Sequence, residues 1–150
     1  MSVTFKSWGH HLASSRYRAV IPAQELHKLG VTEGRDWLVI GKHGWDWSLT
    51  EGYKRVCFDI CDDHFGTKFE AHYLNGIERA DLITCNSHEM ARVIEEKTGR
   101  VPTVIPDPYE QREVAPRISN RILWFGHQSN LAALLPWVDI PNLEIVSNFK

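Results

Sequence analysis

The sequence predicts an α/β protein: a doubly wound, mostly parallel Rossmann-like sheet followed by an incomplete second βαβ unit. Three observations carry this expectation. Residues 80–110, ADLITCNSHEMARVIEEKTGRVPTVIPDPYE, read as strand, capped helix and strand, which is one right-handed βαβ crossover. Residues 55–61 are a nearly continuous apolar run broken only by Asp59, the pattern of a central parallel strand covered on both faces. After a proline-marked stretch, residues 120–130, NRILWFGHQSN, begin a new strand and turn.

The elements follow in order. Residues 3–8 alternate apolar and polar and close at Gly9, which suits a first strand. In the loop HHLASSRYR, Ser14 or Ser15 can cap a helix that carries Tyr17, Val20, Ile21, Leu26 and Leu29 and ends at Gly30. Pro22 sits inside that pattern, so a kink or a late helix start is expected there. Residues 37–40 form a short apolar strand, and 41–54, GKHGWDWSLTEGYK, lack a period and read as loop with a short helix. Residues 68–79 place Phe69, His72, Tyr73 and Ile77 on a helical stripe. An apolar run at 82–84 then meets Asn86 and Ser87, either able to cap the next helix, with Glu89 three residues after Asn86 as in a capping box. Met90, Val93 and Ile94 supply the buried stripe of that helix, Gly99 its left-handed C-cap, and β-branched 103–105 the closing strand before Pro106.

This reading divides the chain into a Rossmann-like domain at 1–106, a linker at 107–119 and the truncated start of a second Rossmann-like domain at 120–150. Three of the seven prolines, Pro106, Pro108 and Pro116, mark the join. The last part offers a strand at 122–125, a turn at Gly126, a helix at 130–135 and a strand at 143–146. Two strands cannot bury both faces against an ordering cost of about 1–2 kcal/mol per residue. The tail is therefore expected to self-associate or to pack on a partner.

Composition excludes several classes. Seventeen basic against nineteen acidic residues give a net charge of -2 with no run of one sign, so neither nucleic acid nor an anionic membrane is expected as a partner. No apolar run is long enough to span a membrane, and the start MSVTFKSWGHH lacks a signal-peptide core, so the expected location is cytoplasmic. Three cysteines, Cys57, Cys61 and Cys85, do not make a disulfide framework and fit a reducing compartment. No GxSxG, GxxxxGK[ST] or GxGxxG pattern occurs.

The segments ASSRYRAVIPAQEL (13–26), FDICDDHF (58–65), ADLITCNSHEMARVI (80–94), TVIPDPYE (103–110) and ILWFGHQSN (122–130) stand in the order found in retaining, nucleotide-sugar-dependent glycosyltransferases of the GT-B fold, and the chain resembles the N-terminal part of that family. The resemblance implies an acceptor-side domain, facing a donor-side domain across a cleft. It also implies a sugar acceptor and a nucleotide sugar as partners, and a donor half supplied by a partner chain or a homo-oligomer. No metal or other cofactor is expected beyond the nucleotide sugar as substrate. The chain alone is then the acceptor-binding half of a hexosyltransferase-type enzyme and inactive by itself. The alternative is a non-catalytic remnant or a sugar- or phosphate-binding module of the same fold.

Ligands of open α/β sheets sit beyond the carboxyl ends of strands, and the candidate site residues are chosen there. Asp62, Asp63 and His64 follow the central strand, where a carboxylate and an imidazole can take an acceptor proton or orient a sugar hydroxyl; the other reading makes an aspartate the cap of the next helix and His64 a surface residue. Cys61 stands where related enzymes often carry a histidine. Arg16 and Arg18 can clamp an acceptor phosphate or carboxylate, or can simply solvate a first helical turn. Ser15 and Asn86 complete the acceptor-binding set. Gly126, His127, Ser129 and Asn130 form a strand-to-helix turn whose N–H groups can receive the donor diphosphate. His127 and Gln128 occupy places where the family often has a basic residue.

Three further features carry open readings. Asp107 and Tyr109 either line the cleft or shape a proline turn. Trp45 and Trp47 either stack on a sugar or pack in the core. Cys57, Cys61 and His64 invite a metal reading, but residues 57 and 61 of an extended strand lie roughly 13 Å apart, too far to share one zinc.

Overall fold

A computed structural model describes residues 1–6, 13–41, 47–108, 119–126 and 128–147. The chain divides into two compact units, Met1–Glu110 and Gln111–Lys150.

The first unit is a Rossmann-like α/β sheet. Five parallel strands, β1 (Ser2–Lys6), β2 (Thr32–Ile40), β3 (Arg55–Ile60), β4 (Leu82–Cys85) and β5 (Thr103–Val104), lie side by side in chain order. Helices cover both faces. Between β1 and β2 a short helical turn, Ala13–Ser15, passes through a π-helical turn, Arg16–Val20, into α1, Ile21–Lys28. Between β3 and β4 lies α2 (Glu70–Arg79), and between β4 and β5 lies α3 (His88–Thr98).

Side-chain alternation assigns the faces. Phe58, Ile60, Ile83 and Cys85 point to one side, where Tyr73 and Ile77 of α2 and Met90 and Ile94 of α3 close over them. Leu38, Ile40 and Val56 extend that core beneath Trp47, the first residue of a 3-10 turn, Trp47–Thr50. Arg18 and the α1 segment lie on the other side, against Asp59 and the neighbouring odd-numbered residues of β1 and β2. Each successive strand is added on the same side of the sheet, yet the first connection runs over one face and the later ones over the other. The first crossover therefore has the opposite hand to those that follow.

Local sequence accounts for most element ends, with four differences from the expectations above. First, the regular α-helix does start late, with Pro22 in the first turn of α1, but the chain before it is helical as well and widens to i→i+5 spacing, with the Ile21 N–H bonded to the Arg16 carbonyl. A residue without an N–H is accommodated where the ladder is already loosened. Second, Ser15 is no cap; it has helical dihedrals and is buried, because helical backbone starts at Ala13. Third, Ser87 rather than Asn86 caps α3, accepting from the Met90 N–H at 3.2 Å, while Glu89 turns outward to Arg92 instead of closing a capping box. Fourth, His72 is exposed and does not share the buried stripe of Tyr73 and Ile77. Gly99 does end α3 in the left-handed region, at φ 71°.

β2 is longer than the apolar run 37–40 implied. Its first half is stitched to β1 by polar contacts across a register break between Ser2 and Val3. Asp36 accepts from the Ser2 N–H and hydroxyl at 2.8 and 3.1 Å, and Thr4 Oγ1 donates to the Gly34 carbonyl at 2.8 Å. Gly34 permits this approach, since a Cβ there would lie 2.5 Å from Ser2 Oγ.

In the second unit, β6 (Ile122–Gly126) pairs in parallel with β7 (Leu143–Ser147). The segment between them, expected as an α-helix, is a 3-10 helix, Gln128–Trp137. Pro136 within it lacks the N–H that an α-helical bond needs, and its first turn has no acidic residue. Phe125, Leu135 and Trp137 are 77%, 70% and 57% exposed, so this unit leaves much of its apolar surface uncovered.

Candidate functional site

Because the strands of the first sheet are parallel, their carboxyl ends share one edge, and the chain leaves β3 at Cys61 and β4 at Asn86 side by side. The Asn86 amide donates to the Cys61 carbonyl at 3.2 Å, which ties the two strand ends together. Asn86 can do this because Ser87 has taken over the helix cap.

Asp62, Asp63 and His64 follow directly and take three different settings. The Cys61 thiol lies 3.6 Å from Asp62 Oδ2. Asp63 Oδ1 accepts from the Phe65 N–H at 2.9 Å, an Asx turn that reverses the chain. The reversal lays the His64 ring edge-on to Phe69 and Tyr73, with centroids 5.4 and 5.0 Å apart. Neither aspartate caps α2, whose N-cap position is Phe69 with no side-chain hydrogen bond. Burial pushes the Tyr73 hydroxyl pKa well above its usual value, and the charges of Cys61, Asp62 and Asp59 push it the same way.

Next to this edge lies a buried ion-pair network that the sequence reading did not assemble. Arg18 Nε donates to Asp59 Oδ2 at 2.8 Å and Nη2 donates to Asp59 Oδ1, a two-pronged pairing of guanidinium and carboxylate. Its Nη1 donates to the Ile105 carbonyl and, at 3.3 Å, to Asp107 Oδ1. Thr84 Oγ1 adds a donor to Asp59 Oδ1 at 2.6 Å and lies 3.7 Å from the Cys57 thiol. Burial alone would weaken the Arg18 charge. The hydrogen bond to Asp59 and the charges of Asp59 and Asp107 outweigh it, so the guanidinium pKa lies above its usual value. Burial likewise pushes the Cys57 thiol up to about 11, which leaves it a protonated, inert packing group.

The predicted acceptor residues therefore separate. Arg18 points to the sheet and joins β3 to the chain after β5, whereas the Arg16 guanidinium carbon stands 5.7 Å from the Tyr17 ring centre. Ser15 is buried at the start of the same helical segment. Asn86 joins Asp62, Asp63 and His64 at the strand ends. The partners missed were Asp59, Thr84 and Asp107. One signal was available: a lone carboxylate inside an apolar strand must find a cation, and Arg18 is a candidate in the preceding helix.

In the second unit, Gly126 ends β6 packed so closely on Trp124 that a Cβ would lie 2.7 Å from its ring. The Gly126 carbonyl accepts from the Ser147 hydroxyl at 2.8 Å. Asn130 is exposed in the 3-10 helix, while His127 and the side chain of Ser129 lie outside the described residues, as do Trp45 and Tyr109. Trp47 is a core residue packed among Leu38, Ile40 and Val56. Among the described residues no group of three or more His, Cys, Asp and Glu side chains is placed to hold a metal ion, and no helix is long and apolar enough to cross a membrane.

No protein-family model, curated protein or solved structure matches the chain.

Proposed function

We propose that the chain is the acceptor-side half of a GT-B-type glycosyltransferase that takes its sugar from a nucleotide sugar. The observation that supports this most is the placement of Asp62, Asp63 and His64 at the carboxyl end of the central strand β3, bridged by the Asn86 amide to the end of β4. In this reading Asp62 and His64 accept the proton or orient the hydroxyl of a sugar acceptor. Asp63 positions them through its turn, and Asn86 fixes the separation of the strand ends. Arg18 positions the chain at 105–107 from inside the fold. The donor diphosphate is assigned in this reading to Gly126, His127, Ser129 and Asn130, the residues that follow β6. The exposed apolar side chains of the second unit, Phe125, Leu135 and Trp137, suit completion by a donor half from a partner chain or a second copy.

One observation favours a second reading, a non-catalytic sugar-binding module of the same fold. The guanidinium of Arg18 is engaged by Asp59, Asp107 and a backbone carbonyl, so it does not serve as an anion clamp.

Calorimetric titration of the purified chain with nucleotide sugars, nucleoside diphosphates and free sugars separates the readings. A charge-assisted hydrogen bond is worth about 1.5–3 kcal/mol, so Asp62→Asn combined with His64→Ala is expected to weaken sugar binding about tenfold or more. Sugar binding that is unchanged in this double variant would remove the site from those residues. Turnover of a nucleotide sugar by the chain alone would overturn its assignment as an incomplete half.

A further inference from the structure

Among the described residues, a single helical layer does not cover the first sheet on its α1 side. A helix is about 10 Å across and five strands spaced about 4.8 Å apart are nearly twice that. The space left over is a cavity of 540 Å³, walled by Phe5, Trp37, Val39 and Leu82 from the sheet and by Ile21 and Leu26 from α1. Its walls are almost wholly apolar, and its size falls within the range of about 300–1,000 Å³ for small-molecule sites. At the carboxyl end of the sheet it meets Arg18, Asp59 and Thr84.

We infer that this cavity binds the hydrocarbon chain of a small amphiphile whose polar head is uncharged. Apolar walls make no directional demand on a ligand and favour a flexible chain, and the volume admits roughly eighteen methylene groups, each displacing about the volume of a water molecule. The polar end selects the head. Arg18 already donates to two carboxylates and a carbonyl, and Asp59 and Asp107 together outnumber its single charge. Among the described residues, a phosphate, sulfate or carboxylate head therefore meets a guanidinium already engaged by carboxylates, and excess negative charge. A hydroxylated neutral head carries no such penalty. This holds whether or not the chain transfers a sugar.

Calorimetric titration of the full chain with octyl, decyl and dodecyl glucoside, each below its micelle-forming concentration, is the direct test, with decyl sulfate as the anionic counterpart. Affinity is expected to rise about fourfold per added methylene, and decyl sulfate to bind at least tenfold more weakly than decyl glucoside. A flat response to chain length, or equal or tighter binding of the sulfate, would overturn the inference. Val39→Trp fills the cavity and is expected to abolish dodecyl glucoside binding. Should that variant not fold, the chain-length and head-group series on the unmodified protein still decides. Phe125→Ser with Trp137→Ser, which removes exposed apolar surface from the second unit, is expected to leave binding unchanged, and loss of binding there would overturn the inference. So would a wild-type dimer that Val39→Trp converts to monomer by sedimentation, because the cavity would then hold a second copy.

Discussion

β3 serves two sides of one sheet, and the two sides are closed by different physics. Toward α2 and α3 it presents Phe58 and Ile60, at 1% and 0% exposure, to a continuous apolar cluster. Toward α1 it presents Cys57 and Asp59, and the closure depends on a guanidinium, two carboxylates, a hydroxyl and a carbonyl meeting in one geometry. Apolar burial is non-directional, so the first side tolerates small adjustments as long as volume is kept. The second side is directional, and its parts come from residues 18, 59, 84, 105 and 107, so the loss of one strands the others.

The largest effect expected from breaking the contrast is on the apolar side. Phe58→Ala removes a ring that touches Trp47 and Tyr73 edge-on, and is expected to cost about 3–5 kcal/mol by denaturant unfolding. Asp59→Ala, which leaves the buried Arg18 with only Asp107 and the Ile105 carbonyl as partners, is expected to cost a similar or slightly smaller amount, about 3 kcal/mol. The sharper measurement is the double variant Asp59→Leu with Arg18→Met, expected to recover most of that loss because an apolar pair has no charge left to desolvate. An additive double variant would show that the network is a source of net stability and not a specifier of geometry.

Gly76→Ala tests how closely α2 sits on β3. In an exposed helix interior this change stabilises by up to about 1 kcal/mol. Here the added Cβ would lie 2.6 Å from the Phe58 ring, so a loss of about 1–3 kcal/mol is expected instead. A gain in melting temperature would mean that α2 can lift from the sheet at little cost.

The smallest effect concerns pH where β2 meets the edge strand β1. The Lys54 hydrogen bond first, and then the Ser2 N–H and hydroxyl, hold the Asp36 carboxylate down to about 2 from a usual 3.8. A depressed carboxylate contributes stability above pH 3.8 and loses it as pH falls from there through about 2. Asp36→Asn is expected to flatten the acid-denaturation profile across that window and to lower stability at neutral pH by the same small amount. Its exposure to solvent keeps the effect small.

The legibility of the molecule divides along the same line. β3, α3 and its Gly99 cap were readable because strand and helix periods, and a glycine that must adopt positive φ, are local signals. Ser87 and Asn86 were both offered as caps. Choosing between them required knowing that Asn86 has the Cys61 carbonyl to bond across the sheet edge. The nine-residue length of β2 was hidden because its first half is polar and is held by Ser2, Thr4 and Gly34 rather than by an apolar stripe. The 3-10 geometry of Gln128–Trp137 was likewise hidden, apart from the warning that Pro136 gives.

For the candidate site, the sequence pointed to Asp62, Asp63 and His64 after the central strand, and the fold brings Asn86 to the Cys61 carbonyl just before them. It paired Arg16 with Arg18, whereas the fold pairs Arg18 with Asp59, forty-one residues away, and with Asp107, eighty-nine away. By itself, then, the sequence determined the parallel α/β class and most of the helix and strand positions, since these follow from periodicity within a dozen residues. Only the tertiary structure decided which charges are buried in pairs and where, among the described residues, apolar walls line a cavity. Both are set by which strands become neighbours, and that distance in space is not written in any local run of residues.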